Sequence, residues 1–189
     1  MKSLIAASCL MAALFGATKT DETHYAIGVS VDDSRIELED RSIWEVSKHD
    51  ADVVKEWNVD AHAEDGRPVP VFIYPNTCSW QFTGRAFVMR NMDTGEEIYT
   101  DLKQSPDENN KHTCFIQRIS LKEPSITVIL NDGGTRKYRL DINKIQDIRK
   151  WRRNDMIIIA SNRGWFIGDF PLIMINVDCN NYTPCNKRF

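Results

Sequence analysis

The sequence predicts a mainly β protein of two tandem, small, strongly curved β-barrels of the SH3-like or OB-like kind, each with one short helix. Two observations predict this fold. A pattern of short strands occurs twice along the 189 residues, and all five tryptophans fall at positions that match between the copies. The composition agrees, because 42% hydrophobic and 27% charged residues exclude a disordered, fibrous or coiled-coil chain.

The repeat is defined by one aspartate, three aromatic residues and two asparagines in each copy. In the first copy these are Asp40, Trp44, Trp57, Asn76, Trp80 and Asn91; in the second they are Asp132, Tyr138, Trp151, Asn162, Trp165 and Asn176. Leu38 is matched to Leu130, which leaves two extra residues in the hairpin of the second copy. One such unit has a marginal core, so we expect the two copies to pack together.

Five strands are predicted in each copy from alternating or continuously apolar runs bounded by turn residues. In the first copy they are Tyr25–Val31, Arg35–Glu39, Ile43–Val46, Val71–Tyr74 and Phe87–Arg90. In the second they are Phe115–Leu121, Ile126–Leu130, Lys137–Leu140, Met156–Ala160 and Leu172–Ile175. The corner Asn131–Gly134 has the composition of a hairpin turn, and Met156–Ala160 reads as a strand buried on both faces.

A short helix is predicted between the third and fourth strands of each copy, with Asp50 as the first N-cap. Its apolar stripe is Val53, Val54 and Trp57 in the first copy, and Ile145, Ile148 and Trp151 in the second. The polar segment Lys103–His112 contains a proline and no periodicity, which is typical of a linker. The repeats are therefore predicted to occupy residues 18–105 and 106–189.

Residues 1–17 have the pattern of a secretory signal peptide, with Lys2 followed by an apolar run from Leu4 to Ala17. A helix of this length reaches about 21 Å, which is short of the roughly 30 Å hydrocarbon core of a membrane. The alternatives are a lipid anchor at Cys9 and an ordinary buried helix. Export predicts a periplasmic or secreted protein.

Removal of residues 1–17 leaves four cysteines, an even number that favours disulfides in an exported protein. The preferred pairing is Cys179 with Cys185 and Cys78 with Cys114; the alternative is four thiols without a bridge. No metal or cofactor is predicted, since the sequence has no CxxC pair and its four histidines are not grouped at ligand spacing.

The order of strands, aspartate, aromatics and asparagines resembles a tandem small-barrel repeat found in uncharacterised exported bacterial proteins. The resemblance rests on the twelve matched residues and covers nearly all of the chain after residue 17. It implies an architecture and no particular chemistry.

Trp80 and Trp165 are binding candidates because each lies in a loop among polar residues or glycine. Such an aromatic side chain either covers the mouth of a barrel or serves as an exposed anchor for a ligand. The other matched aromatics alternate with aliphatic residues and are expected in the core. The matched asparagines end strands, where an amide side chain closes a turn.

The net charge of −3 conceals an acidic first copy, with −9 over residues 18–105, and a basic second copy, with +5 over residues 106–189. The densest basic segment surrounds Trp151 and consists of Arg149, Lys150, Arg152 and Arg153. These residues either form a solvated face or bind nucleic acid or another anionic polymer. The overall acidity and the predicted export disfavour nucleic acid.

The sequence contains no GxSxG, HExxH, P-loop or dinucleotide-binding motif. The favoured interpretation is an exported binding or scaffold protein of the bacterial cell envelope that recognises a protein or an envelope polymer. One alternative is a binder of nucleic acid or an anionic polymer through the basic second repeat. The other is an envelope enzyme with a site between the repeats.

Overall fold

The structure is a computed structural model that describes residues 22–30, 32, 34–57, 59, 68–77, 80–163 and 168–188. The predicted signal peptide, including Cys9, lies outside the described residues. The first barrel contains β1 (Thr23–Ser30), β2 (Arg35–Leu38), β3 (Ile43–Val46), β4 (Val69–Pro75), β5 (Phe87–Asn91) and β6 (Glu97–Gln104). The second contains β7 (Cys114–Ser120), β8 (Ser125–Leu130), β9 (Thr135–Leu140), β10 (Met156–Ser161), β11 (Leu172–Asn176) and β12 (Asn181–Arg188).

Each set of six strands closes into an antiparallel barrel, which confirms the predicted fold class. The strand order is β1-β2-β3-β6-β5-β4 in the first barrel, and β7-β8-β9-β12-β11-β10, read from β7, in the second. The two orders are the same when the second is renumbered from its own first strand. The two copies of the sequence repeat therefore have the same topology, including the strand pair that closes each barrel.

The first strand of each barrel carries a β-bulge at the same place. The register shifts between Ala26 and Gly28 in β1, and between Ile116 and Arg118 in β7. A bulge bends its strand and increases the local twist, which a barrel of only six strands requires for closure.

The registers correct the predicted alignment of the hairpins. Leu38 lies opposite the residue before the first bulge, and Val128 lies opposite the residue before the second, so Val128 is the equivalent of Leu38. Leu130, which we had matched to Leu38, is two residues further on. Six positions separate Leu38 from Trp44 and ten separate Val128 from Tyr138, so the second hairpin is longer by four residues.

The helix predicted between the third and fourth strands is present in the first copy, but the prediction is wrong for the second copy, where turns take its place. The first copy has a 3-10 turn (Lys48–Asp50) followed by the short helix α1 (Ala51–Lys55). The second has a 3-10 turn (Ile142–Lys144) followed by further turns, with Trp151 donating its backbone N–H to the carbonyl three residues earlier. The apolar side chains of this segment are spaced three apart, which is the period of a 3-10 turn.

A sixth strand in each barrel was not predicted. β6 shows alternating burial and takes its last two residues from the segment assigned to the linker. β12 was missed because it is polar and contains Pro184. That proline is tolerated because pairing of β12 with β9 begins only at Cys185.

The two barrels share a core through β10 and β11. Ile158, Ala160, Ile173 and Ile175 pack into the apolar cluster of the first barrel, although they belong to strands of the second. The alternate residues of the same strands pack inside the second barrel. All of β10 and β11 is buried in consequence, which confirms the predicted strand with two buried faces.

Candidate functional site

A cleft of about 250 Å³ lies where the two barrels meet. Its polar lining combines residues from both copies: His24, Glu39, Asp40, His112, Cys114 and Arg136. β1 supplies His24 and β7 supplies Cys114. The registers make these two residues equivalent, because His24 pairs with Val71 and Cys114 pairs with Ile157, its counterpart in the second copy.

His24 connects the barrels through one ring nitrogen and contacts a carboxylate of its own barrel through the other. Its Nε2 lies 2.8 Å from the backbone carbonyl oxygen of Ile159 in the second barrel. Its Nδ1 lies 3.3 Å from Oε1 of Glu39, at ion-pair distance without the angle of a good hydrogen bond. The other oxygen of Glu39 accepts the backbone N–H of Tyr25 at 2.7 Å.

This geometry favours the imidazolium form of His24, because both nitrogens face oxygen acceptors and only the protonated ring carries two donors. Burial by itself lowers the pKa of His24, whereas the contact with the negatively charged Glu39 and the nearby charge of Asp40 raise it. With the added hydrogen bond to Ile159, the pKa rises to about 9. Burial raises the pKa of Glu39, but the contact with the positively charged His24 and the hydrogen bond from Tyr25 together lower the pKa below its ordinary value.

The connection between the barrels covers one wall of the cleft. Asp107 donates its backbone N–H to the carbonyl of Asp40, and Asn110 donates its side-chain N–H to the carbonyl of Glu39 at 2.8 Å. Asp40 itself is 4% exposed and accepts two hydrogen bonds from Ser42. The segment predicted as a linker is thus fixed against the hairpin that carries Glu39.

The cleft brings titratable groups together, as the alternative of an enzyme between the repeats requires. The pKa of His24 is raised and that of Glu39 is lowered, so both pKa values lie further from pH 7 than usual. Near pH 7 both side chains therefore stay charged, and neither is suited to act as a general acid or base. We interpret the hydrogen bond from His24 to Ile159 as a connection between the barrels, and Glu39 as the carboxylate that keeps the His24 ring charged. Sequence reasoning missed it because the repeat partner of His24 is a cysteine. Extending the alignment of the two first strands by one residue reveals the match.

The predicted Cys179–Cys185 bridge is wrong, because the structure joins neither residue in a disulfide. The predicted Cys78–Cys114 bridge stays a prediction, because Cys78 lies outside the described residues. Residues 181–185 are extended in β12, at about 3.3 Å per residue, which carries Cys185 well beyond the roughly 7 Å between Cα atoms that a disulfide permits. Cys185 is fully buried in the second core instead. Partial burial and the nearby carboxylates of Asp155 and Asp178 raise the pKa of Cys179, so its thiol stays protonated.

The loop between β4 and β5, the site of one predicted tryptophan, is fixed at its base. Asn76 donates its side-chain N–H to Thr83 Oγ1 at 3.0 Å and to the carbonyl of Arg85 at 2.9 Å. The loop contains the single turn α2 (Trp80–Thr83), and within it Phe82 is 89% exposed. The side chain of Trp80 and the whole of Trp165 lie outside the part of the chain that the structure describes.

The four basic candidates are exposed, as predicted for either interpretation of them. They are Arg149, Lys150, Arg152 and Arg153. Trp151 at their centre is 5% exposed, and its indole N–H donates to Oδ1 of Asn181 at 2.6 Å. The aromatic surface that would stack on a nucleobase is therefore buried, and the segment offers only charge.

No protein-family model, curated protein or solved structure matches this chain. Over the described residues, no group of three or more histidine, cysteine, aspartate or glutamate side chains is arranged to hold a metal ion. In the same residues, no helix is long and apolar enough to cross a membrane.

Proposed function

We propose that this chain is an exported binding or scaffold protein of the bacterial cell envelope, and that the β4–β5 loop contacts a protein or an envelope polymer. The observation that supports the proposal is Phe82, a large apolar side chain that is 89% exposed. An aromatic side chain that becomes buried against a partner is a common anchor of recognition. A side chain that is exposed in the free protein has the most surface to bury when a partner binds.

The hydrogen bonds of Asn76 at the base of this loop also support the proposal. Asn76 holds Thr83 and Arg85 on the C-terminal side of the loop, and its backbone N–H donates to the carbonyl of Ala86 at 2.8 Å. These hydrogen bonds reduce the conformational entropy that residues 83–86 lose when a partner binds.

The experiment compares tagged wild-type protein with Phe82→Ser and Leu121→Ser in the native host, with fractionation and cross-linking before capture. Leu121 is 58% exposed on the other barrel and serves as the matched control. We expect export and a cross-linked partner for wild type and Leu121→Ser, and at least about tenfold less partner for Phe82→Ser. Recovery only from the cytosol, or equal capture by both variants, would contradict the proposal.

A further inference from the structure

The two barrels carry the same outer groove beside the β-bulge, with different linings. The groove crosses three neighbouring strands, and the registers identify the equivalent positions. These are Gly28, Glu37 and Ile43 in the first barrel, and Arg118, Thr127 and Lys137 in the second. Because the strand registers are the same in both barrels, the side chains of the two grooves can be compared position by position.

The second groove has exposed cations above a hydroxyl-bearing floor. The exposed cations are Arg118, Lys122 and Lys137; the hydroxyl groups belong to Ser120, Ser125 and Thr127, which are buried or half-buried. The cavity between them is about 320 Å³. Cationic donors together with hydroxyl groups are the chemistry that binds phosphate-type oxyanions.

One carboxylate, Glu123, also lines the second groove. Its Oε2 lies 3.3 Å from Nζ of Lys137, and both side chains are exposed. An exposed ion pair of this kind contributes little, so an anionic ligand can take the place of Glu123 at Lys137.

The first groove does not have this charge. Its charged lining residues are Arg35 and Glu37, which are opposite in sign, and Ile43 stands where the second groove has Lys137. Glu37 is also paired with Arg41 at 2.7 Å. The excess of cations therefore comes from the side chains of the second copy, and the backbone shared by the two barrels does not account for it.

We propose that the groove of Arg118, Lys122 and Lys137 binds a ligand with two or more linked phosphate groups. Adjacent strands lie about 4.8 Å apart, so the backbones of Arg118 and Lys137, two strands apart, are separated by about 10 Å. Linked phosphates reach both cations along the groove, whereas a single phosphate reaches both only if the side chains converge. The site lies on the second barrel, and its test is independent of the Phe82 loop.

The test is isothermal titration of the full chain with inorganic tripolyphosphate and with orthophosphate at low salt. The variant Arg118→Gln/Lys137→Gln removes two charges from the groove, and Arg149→Gln/Arg152→Gln removes two from the exposed turn as a matched control. We expect the wild-type protein to bind tripolyphosphate more tightly than orthophosphate. The groove variant should weaken the binding of tripolyphosphate about tenfold, and the control variant should weaken it less than about twofold. Glu123→Gln should strengthen binding, because it removes the competing carboxylate.

Three outcomes would overturn the proposal: no binding of tripolyphosphate, equal affinity for orthophosphate, or equal weakening by the groove and control variants. The last outcome would indicate attraction to the basic barrel as a whole. All substituted residues are exposed, and thermal unfolding of each variant checks that the fold is retained.

Discussion

Single polar side chains close the same turns in both barrels. Asn76 donates to the carbonyl of Arg85, and Asn162 donates to the carbonyl of Phe170 at 2.7 Å. These bonds confirm the predicted role of the asparagines at strand ends. An amide at this position satisfies backbone groups that the end of a strand leaves unpaired, so it is retained while the loop beyond it changes.

The matched aspartates act in the same way at the hairpin corners. Oδ1 of Asp40 accepts the backbone N–H of Ser42, and Oδ1 of Asp132 accepts that of Gly134, each two residues ahead at 2.9 Å. The repeat therefore preserves the turn chemistry although the second hairpin is four residues longer. These aspartates explain why Leu130 was wrongly matched to Leu38. Aligning Asp40 with Asp132 matches the corners of the two hairpins, but the strands before those corners differ in length, so the strand residues are then misaligned.

His24 makes stability depend on pH. Its pKa is raised from 6.5 to about 9, so the stabilisation is fully present below pH 6.5 and is lost as the pH rises to about 9. The lowered pKa of Glu39 acts in the opposite direction, since its contribution is fully present above the ordinary pKa of a glutamate and is lost as the pH falls through the lowered pKa. We expect wild type to lose up to about 3 kcal/mol of unfolding free energy from pH 6.5 to pH 9 on account of His24.

Urea unfolding of His24→Gln measures this loss, with the exposed His49→Gln as the control. The loss should be absent from His24→Gln and unchanged in His49→Gln. If wild type and His24→Gln depend on pH in the same way, the ring is neutral in the folded protein and our assignment is wrong.

At the scale of elements, β12 shows how a strand can be hidden from sequence patterning. Two of its residues, Thr183 and Cys185, are fully buried, and the first of them is polar. Its hydrogen-bonding partners, β11 and β9, determine that it is extended. Local composition predicts a loop, whereas pairing on both sides produces a strand.

The assignment of β12 predicts different costs for two cysteine substitutions. Cys185→Ser places a hydroxyl group in the apolar second core and should cost about 1–3 kcal/mol in unfolding free energy. Cys179→Ser, in the turn before β12, should cost less than about 0.5 kcal/mol. Denaturant unfolding without reductant gives both values. Equal losses, together with a fall in stability of wild type on reduction, would instead indicate a bridge between them.

At the scale of the whole molecule, the barrels are joined by more than a connecting segment. Phe87 of the first barrel lies 6.0 Å from the ring of Tyr182 in the second, measured between centroids. The guanidinium of Arg163 lies 4.9 Å from the centre of the Phe72 ring. With the shared core of β10 and β11, these contacts couple the folding of one barrel to that of the other.

We therefore expect the full chain to unfold in one transition, with tryptophan fluorescence and circular dichroism giving the same midpoint. Ile173→Ala removes a fully buried side chain that belongs to the second barrel and packs in the core of the first. It should lower the unfolding free energy by about 3 kcal/mol and shift both signals together. Two resolved transitions, or a shift confined to one signal, would show that the barrels unfold separately.

The sequence by itself determined the duplication, the mainly β class, the positions of most strands and the burial of Trp44, Trp57, Tyr138 and Trp151. These features are local, since alternation, turn residues and apolar runs each act over a few neighbouring positions. The tertiary structure decided the sixth strand of each barrel, the absence of a bridge at Cys185 and the cleft at His24. Each of these depends on a partner distant in the sequence, as His24 depends on Ile159, and no pattern of neighbouring residues records such a pairing.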